Sequence, residues 1–388
     1  MAHEAVRIHG MFHVKRPTGH GRGRWHLAVT GGVLATCALS VTGCVGLPAA
    51  EWADASAEVE CPVTPSDATG RIRIGYLGSP GADLYTQDQG LAEACLPDAE
   101  VSWTRFPTGQ DIVQGFASDS VDIAGLGSTP TTKALSAPLN LPVSVVGVNS
   151  VIGTSEALVA KKAHSIGELK GQRIAVPSSS TSHYSLLNAL IDSGLDPAKD
   201  VTIVNISPDK LPAAWKSDQI DAAYVWDPTL QELKDGTGGS PAGNVLTDSE
   251  QQAAAGHATY NVSLAADRWA DSHAELLSTF LSLEGWVVDH ADKDPGGFAA
   301  VNAAASGMDK EAARRQIGGL RFIHSGEERA QLAAVADGIH ETAGFLTDQG
   351  EIPSARPVEE YAAATRPELW DTPAATPAAD SVLKEEKP

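Results

Sequence analysis

Basic residues are scarce in this chain of 388 residues: 28 Lys and Arg stand against 49 Asp and Glu, a net charge of −21. No basic stripe is available to neutralise a phosphate backbone, which excludes nucleic acid as a partner. The same balance excludes charge-driven docking on an anionic lipid surface. Cysteine is equally rare, with Cys37, Cys44, Cys61 and Cys95 the whole set. Their spacing makes neither a CxxC redox pair nor a zinc knuckle, so neither a metal nor a cofactor is expected. GxxxxGK[ST], HExxH, GxSxG and a GxGxxG following a strand are all missing, and no catalytic set assembles from the motifs. Beyond the first fifty positions there is no apolar run of about 20 residues, the length a spanning helix needs.

What is present describes a globular protein, 42% hydrophobic and 20% charged. The N-terminal segment carries Arg7, Lys15, Arg16, Arg22 and Arg24 before the apolar stretch LAVTGGVLATCALSVTGC at 27–44. A basic region, an apolar core and small residues before a cut predict a secretory signal over 1–43. Val41-Thr42-Gly43-Cys44 resembles a bacterial lipobox. That resemblance implies a diacylglycerol on Cys44, and two acyl chains anchor stably where one is marginal. An ordinary cleaved signal, with Cys44 incidental, is the alternative. In an oxidising compartment Cys61 and Cys95 then form a natural disulfide pair, the other choice being two free buried thiols.

Residues 44–70 are rich in Ala, Pro and acids and predict a flexible tether. Residues 371–388 lack any helical or strand period and predict a disordered tail. No long-period repeat stands out. Between tether and tail, strand and helix patterns alternate. RIRIGY at 71–76, VDIA at 121–124, VSVV at 143–146, ALVA at 157–160, RIAV at 173–176 and AAYV at 222–225 read as strands. Helical patterns fall between several of them and dominate after Glu275. This is an α/β protein with parallel-sheet character.

Two strand-to-helix junctions are rich in hydroxyls: Gly127-Ser128-Thr129, and Ser178 to His183 after Val176-Pro177. Helix N-termini offer unpaired N–H groups and partial positive charge, so such junctions bind oxyanions. Ser and Thr also cap helices everywhere, and for one loop alone that explanation suffices. Two such loops in one α/β body favour a ligand.

Several stretches carry a family resemblance: DSVDI followed by AGLGSTP at 119–130, GTSEALV at 153–159, GQRIAVPSSSTSHYSLLNAL at 171–190, AAWKSDQIDAAYVW at 213–226 and VLTDSEQ at 245–251. Over residues 71–251 the chain resembles the taurine-binding proteins of ABC importers. The resemblance implies a type II periplasmic-binding-protein fold, two α/β lobes with a ligand cleft between them. Applied here, lobe 1 is 71–152 plus 255–370 and lobe 2 is 153–254. It implies an extracytoplasmic receptor for taurine or a closely related organosulfonate, delivering to an ABC permease and its ATPase. The expected state is a monomer, lipid-anchored on the outer face of the bacterial cytoplasmic membrane. A receptor for an amine-free alkanesulfonate is the alternative, and an enzyme on the same fold a remote one.

A sulfonate stays ionised and asks for N–H and O–H donors. On this resemblance it falls to Ser128, Thr129, Thr181, Ser182 and His183, with Tyr184 and Trp226 as walls. An ammonium asks for a carboxylate or an aromatic face. One departure matters here. The family's Thr–hydrophobic–Asp reads Thr259-Tyr260-Asn261 in this chain, and Asn261 brings no charge. Glu156 or Asp227 must then supply it. Asp227 is the favoured choice, although capping the turn before Pro228 would equally explain it.

Overall fold

The structure is a computed structural model, described here over residues 59–236 and 239–370. The signal, Cys44 and the tail lie outside these residues, as does the tether up to residue 58. Among the described residues, eleven strands form two sheets. The first six-stranded sheet comprises β1 (Gly70–Tyr76), β2 (Ala99–Arg105), β3 (Ile123–Gly127), β4 (Val143–Ile152), β10 (Tyr260–Ala266) and β11 (Leu320–Phe322), in the order β11-β4-β10-β3-β1-β2. The second comprises β5 (Glu156–Ala160), β6 (Arg173–Val176), β7 (Thr202–Asn205), β8 (Ala222–Trp226) and β9 (Asn244–Asp248), in the order β7-β6-β8-β5-β9. The chain crosses between them at 153–155 and again between helix Ser249–Ala254 and β10.

The inner strands β3, β4, β5, β6 and β8 are covered on both faces, which is why they read as near-continuous apolar runs, while the edge strands β2 and β7 are largely exposed. On β4, Val146 enters one core with Ile72, Ile74, Leu277 and Phe280. Val145 and Val148 enter the opposite core with Ile112, Leu264, Leu332 and Ile339. In β5 the same alternation sends Ala157 and Val159 to Trp215 and Leu230, and Leu158 and Ala160 to Leu186 and Leu190.

The two sheets repeat one another. In each, a strand lies between two parallel neighbours, β1 between β2 and β3, and β6 between β7 and β8. An antiparallel strand that arrives from the other lobe follows: β10 beside β3, β5 beside β8. The repeat extends to side chains. Asp122 accepts the Arg73 amide at 2.8 Å and its Nε at 2.9 Å, while Asp221 accepts the Arg173 amide at 3.0 Å and its Nε at 2.9 Å. Asp119 and Asp218, three residues before each acid, both take a left-handed turn at φ 53° and 54°. The matching segments, SDSVD and SDQID, are too short and too diverged for periodicity to reveal them.

Local differences from the sequence patterns are modest. The stretch after Ser165 forms a single 3-10 turn, Ile166–Leu169, with Ser165 at its start making no side-chain cap. β4 runs six residues past the apolar run that marks it, because it pairs with both β10 and β11. Cys61 and Cys95 form a disulfide with Cα atoms 4.8 Å apart, tying the segment before β1 to helix Leu91–Cys95.

Candidate functional site

A cavity of about 110 Å3 lies between the two sheets, walled by both. Sites for drug-sized ligands run to about 300–1,000 Å3, so this one suits a small solute. From the first sheet it takes Gly125, Leu126 and Gly127 of β3, Asn149, Ser150 and Ile152 of β4, and Asn261 of β10. From the second lobe it takes Glu156 of β5, Trp226 of β8 and the helix start Ser180-Thr181, with Ser155 from the crossover. The loop Ser79-Pro80-Gly81 after β1 and the first residues of the next helix, Ala82 and Asp83, close one side.

Both hydroxyl-rich junctions open helices at this cavity. Helix Ser128–Leu135 follows β3 with Gly127 at its N-cap and no side chain capping it, so its first amides stay available. Helix Thr181–Asp192 is capped by Ser180, whose hydroxyl accepts the His183 amide at 3.1 Å. The two starts nearly touch: a Cβ on Gly127 would sit 2.7 Å from Thr181 Cγ2. Glycine at 127 is what allows this approach. Ser182, in the first turn of the second helix, turns its buried hydroxyl to the Glu156 carboxylate, while Thr129 Oγ1, in the first turn of the first, is buried without a hydrogen-bond partner among the described residues. Buried hydroxyls normally find one.

Glu156 is almost fully buried at the start of β5. Thr181 donates to its Oε2 at 2.7 Å and Ser249 to its Oε1 at 2.9 Å. Burial pushes its carboxyl above the usual range, with these hydroxyls opposing the shift. Its oxygens are thus committed to the second lobe's own framework. Asn261 donates from Nδ2 to Ser150 Oγ at 3.0 Å, which leaves its carbonyl oxygen as an acceptor.

Of the residues singled out in the sequence, Glu156, Thr181, Trp226 and Asn261 line the cavity directly. The others stand just behind. The Ser128 hydroxyl accepts the Tyr260 amide at 3.2 Å, locking that helix to β10. His183 accepts the Ser179 amide through Nδ1 at 3.3 Å. Burial lowers its pKa, with Glu351 opposing and Lys133 reinforcing, and so keeps the ring neutral at pH 7. Tyr184 packs edge-on against Phe345, ring centres 5.0 Å apart, and so buttresses the junction between lobes.

Asp227 does not line the cavity. Its Oδ1 accepts the Gln231 amide at 3.0 Å, capping the start of helix Thr229–Asp235. Its main-chain carbonyl meets Ser79 Oγ of the first lobe at 3.4 Å. A second carboxylate besides Glu156 does reach the cavity: Asp83, which no sequence pattern marked. The available signal was Gly-Ser-Pro-Gly at 78–81, a third strand-to-helix junction beside the two hydroxyl-rich ones.

A model of the NMT1-like family matches residues 86–281, half of the chain. The chain belongs to the NMT1-like family. Among relatives of this NMT1-like protein, the taurine-binding periplasmic protein of Escherichia coli K12 is 37% identical, the match covering 66% of this chain and 80% of that one. A putative aliphatic sulfonates-binding protein of the same organism is 29% identical over 62% of this chain and 82% of its own length. Among solved structures, the alkanesulfonate-binding protein SsuA from Xanthomonas axonopodis pv. citri bound to MOPS superposes with a TM-score of 0.65 at 22% identity. That match covers 76% of this chain and 98% of that one, and it shows that the NMT1-like chain has the two-lobed periplasmic-binding-protein fold.

Proposed function

We propose that this protein is the extracytoplasmic solute receptor of an ABC importer and that its ligand is taurine or a closely related organosulfonate. The observation that carries this reading is the pair of helix starts, one from each lobe, that meet at the cavity, with Thr129 Oγ1 behind them unpartnered among the described residues. An oxyanion seated there collects main-chain amides from both lobes. Contacts to both lobes stabilise the closed form over the open one. The likeness to the taurine-binding protein of Escherichia coli supports this ligand class.

In the same reading the main-chain amides around Gly127, Ser180 and Thr181 hold the sulfonate, Trp226 walls it, and Asn261 and Glu156 complete the polar lining. Ser128, Ser182, His183, Tyr184, Tyr260 and Asp227 hold these groups in place. The receptor works as a monomer, tethered by lipid on Cys44 to the outer face of the cytoplasmic membrane, and passes its ligand to the permease without chemical change. A thermal-shift series with taurine, ethanesulfonate, sulfate and nitrate tests the ligand class. A sulfonate at 100 times its dissociation constant stabilises by about 2.7 kcal/mol, and a shift with sulfate or nitrate alone would sink the proposal. Cys44→Ala should release the protein from membranes; a variant that stays bound refutes the anchor.

A further inference from the structure

The ligand's second charge decides which sulfonate binds, and three carboxyls come into question around the cavity. Glu156 has both oxygens taken by hydroxyls of its own lobe. Asp227 caps a helix. Asp83 is different. Its Oδ1 accepts the Leu84 amide at 2.8 Å, while no cation pairs with it among the described residues. Oδ2 turns toward Gly125: a Cβ built there would lie 3.4 Å from Asp83 Oδ2 and 3.7 Å from Asn149 Nδ2. A side chain at 125 would fill this space, and glycine leaves it to the cavity.

The geometry separates two ends. Gly125 and Gly127 share one face of β3, about 6.7 Å apart at the usual rise of a strand. Gly127 marks the helix-start end, beside Thr181. Gly125 marks the carboxylate end. On the paired strand, Asn261 stands opposite Gly127 and Ser263 opposite Gly125. The Ser263 hydroxyl donates to Asn149 Oδ1 at 2.9 Å and so fixes the amide that faces Asp83's side of the cavity. A molecule with an anion at one end and a cation two carbons away spans these ends.

We propose that Asp83 is the counter-charge for an ammonium group on the ligand, so that the receptor is built for an amino-sulfonate and rejects its amine-free analogue. This rests on the sulfonate reading above. Charge is available for the task. Burial raises the Asp83 carboxyl to about 6, still ionised at neutral pH, whereas nearby Glu284, which accepts from Thr86 Oγ1 at 2.6 Å, is pushed up to about 8 by burial and by Asp83 itself. Of the two acids, Asp83 holds the negative charge. Asn261 carries none, and Asp83 supplies it from beside Gly125, two residues along β3 from the position that Asn261 faces.

Calorimetry of the full chain with taurine and with ethanesulfonate tests the assignment. Wild type should prefer taurine. D83N should weaken taurine by about 10- to 100-fold, the scale of a charge-assisted hydrogen bond, and leave ethanesulfonate within about threefold. D83E, which keeps the charge, should retain part of the preference. Equal weakening of both ligands by D83N, or of neither, overturns the proposal. So does a wild type that binds ethanesulfonate as well as taurine, a result that needs no variant to fold. A wild type that binds neither sulfonate overturns the sulfonate reading first and this inference with it.

Discussion

Thr181 Oγ1 lies 2.7 Å from Glu156 Oε2, so the first turn of helix Thr181–Asp192 and the first residue of β5 are fixed to one another at the floor of the cleft. The start of β5 and a cavity-lining helix thereby move together. Ser249, itself 3.2 Å from the Tyr224 hydroxyl, holds the other carboxylate oxygen and completes a buried polar chain.

Breaking that chain should be costly. Thr181→Val keeps the shape of the side chain and deletes the donor, leaving a buried carboxylate oxygen unsatisfied. The expected loss is about 1–3 kcal/mol of stability in urea unfolding. Thr181→Ser keeps the hydroxyl and should lose less than half as much.

Gly127→Ala places a methyl 2.7 Å from Thr181 Cγ2 and should hold the lobes apart. Overpacking of this kind costs about 1–3 kcal/mol, here charged to closure, so taurine should bind about 5- to 100-fold more weakly. The double variant with Thr181→Ser removes the obstructing methyl and should recover most of the affinity. Calorimetry of the single and double variants checks this; no recovery would mean that Gly127 serves the backbone alone.

The Cys61–Cys95 bridge spans a sequence separation of 34. Closing a loop of that size removes unfolded-state entropy worth about 3–4 kcal/mol. Replacing both cysteines by Ala should lower the urea midpoint accordingly and leave taurine affinity unchanged, since the bridge lies outside the cavity.

Glu328 accepts the Val148 amide at 2.8 Å in the core beside β4, and burial raises its carboxyl from 4.5 to about 8. A raised acid binds its proton more tightly in the folded state. Its contribution to stability is therefore full below about 4.5 and is lost as pH rises through about 8. Glu328→Gln has no such proton. The stability of that variant relative to wild type should rise across this window in urea unfolding followed by pH; a flat difference would contradict the assignment.

Apolar patterns marked the inner strands β1, β3, β4, β5, β6 and β8, because strands buried on both faces leave runs such as ALVA and AAYV plainly visible. The hydroxyl-rich segments 127–129 and 178–183 marked the two helix starts that open at the cavity, since helix starts are a local property of the chain. β10 escaped the sequence patterns, although it is the strand that returns to lobe 1 and carries Asn261 to the cavity. The repeat of the two lobes was equally invisible, because it lives in topology and in the Arg73–Asp122 and Arg173–Asp221 pairs. Tertiary structure alone decided among the carboxylates. Asp227 and Asp83 each stand near the end of a strand, and nothing within a few residues of either tells a cap from a cavity wall. What separates them is which backbone amide lies within reach and whether a glycine on a distant strand, Gly125, leaves room in front. Such relations exist only once both lobes have folded and faced one another.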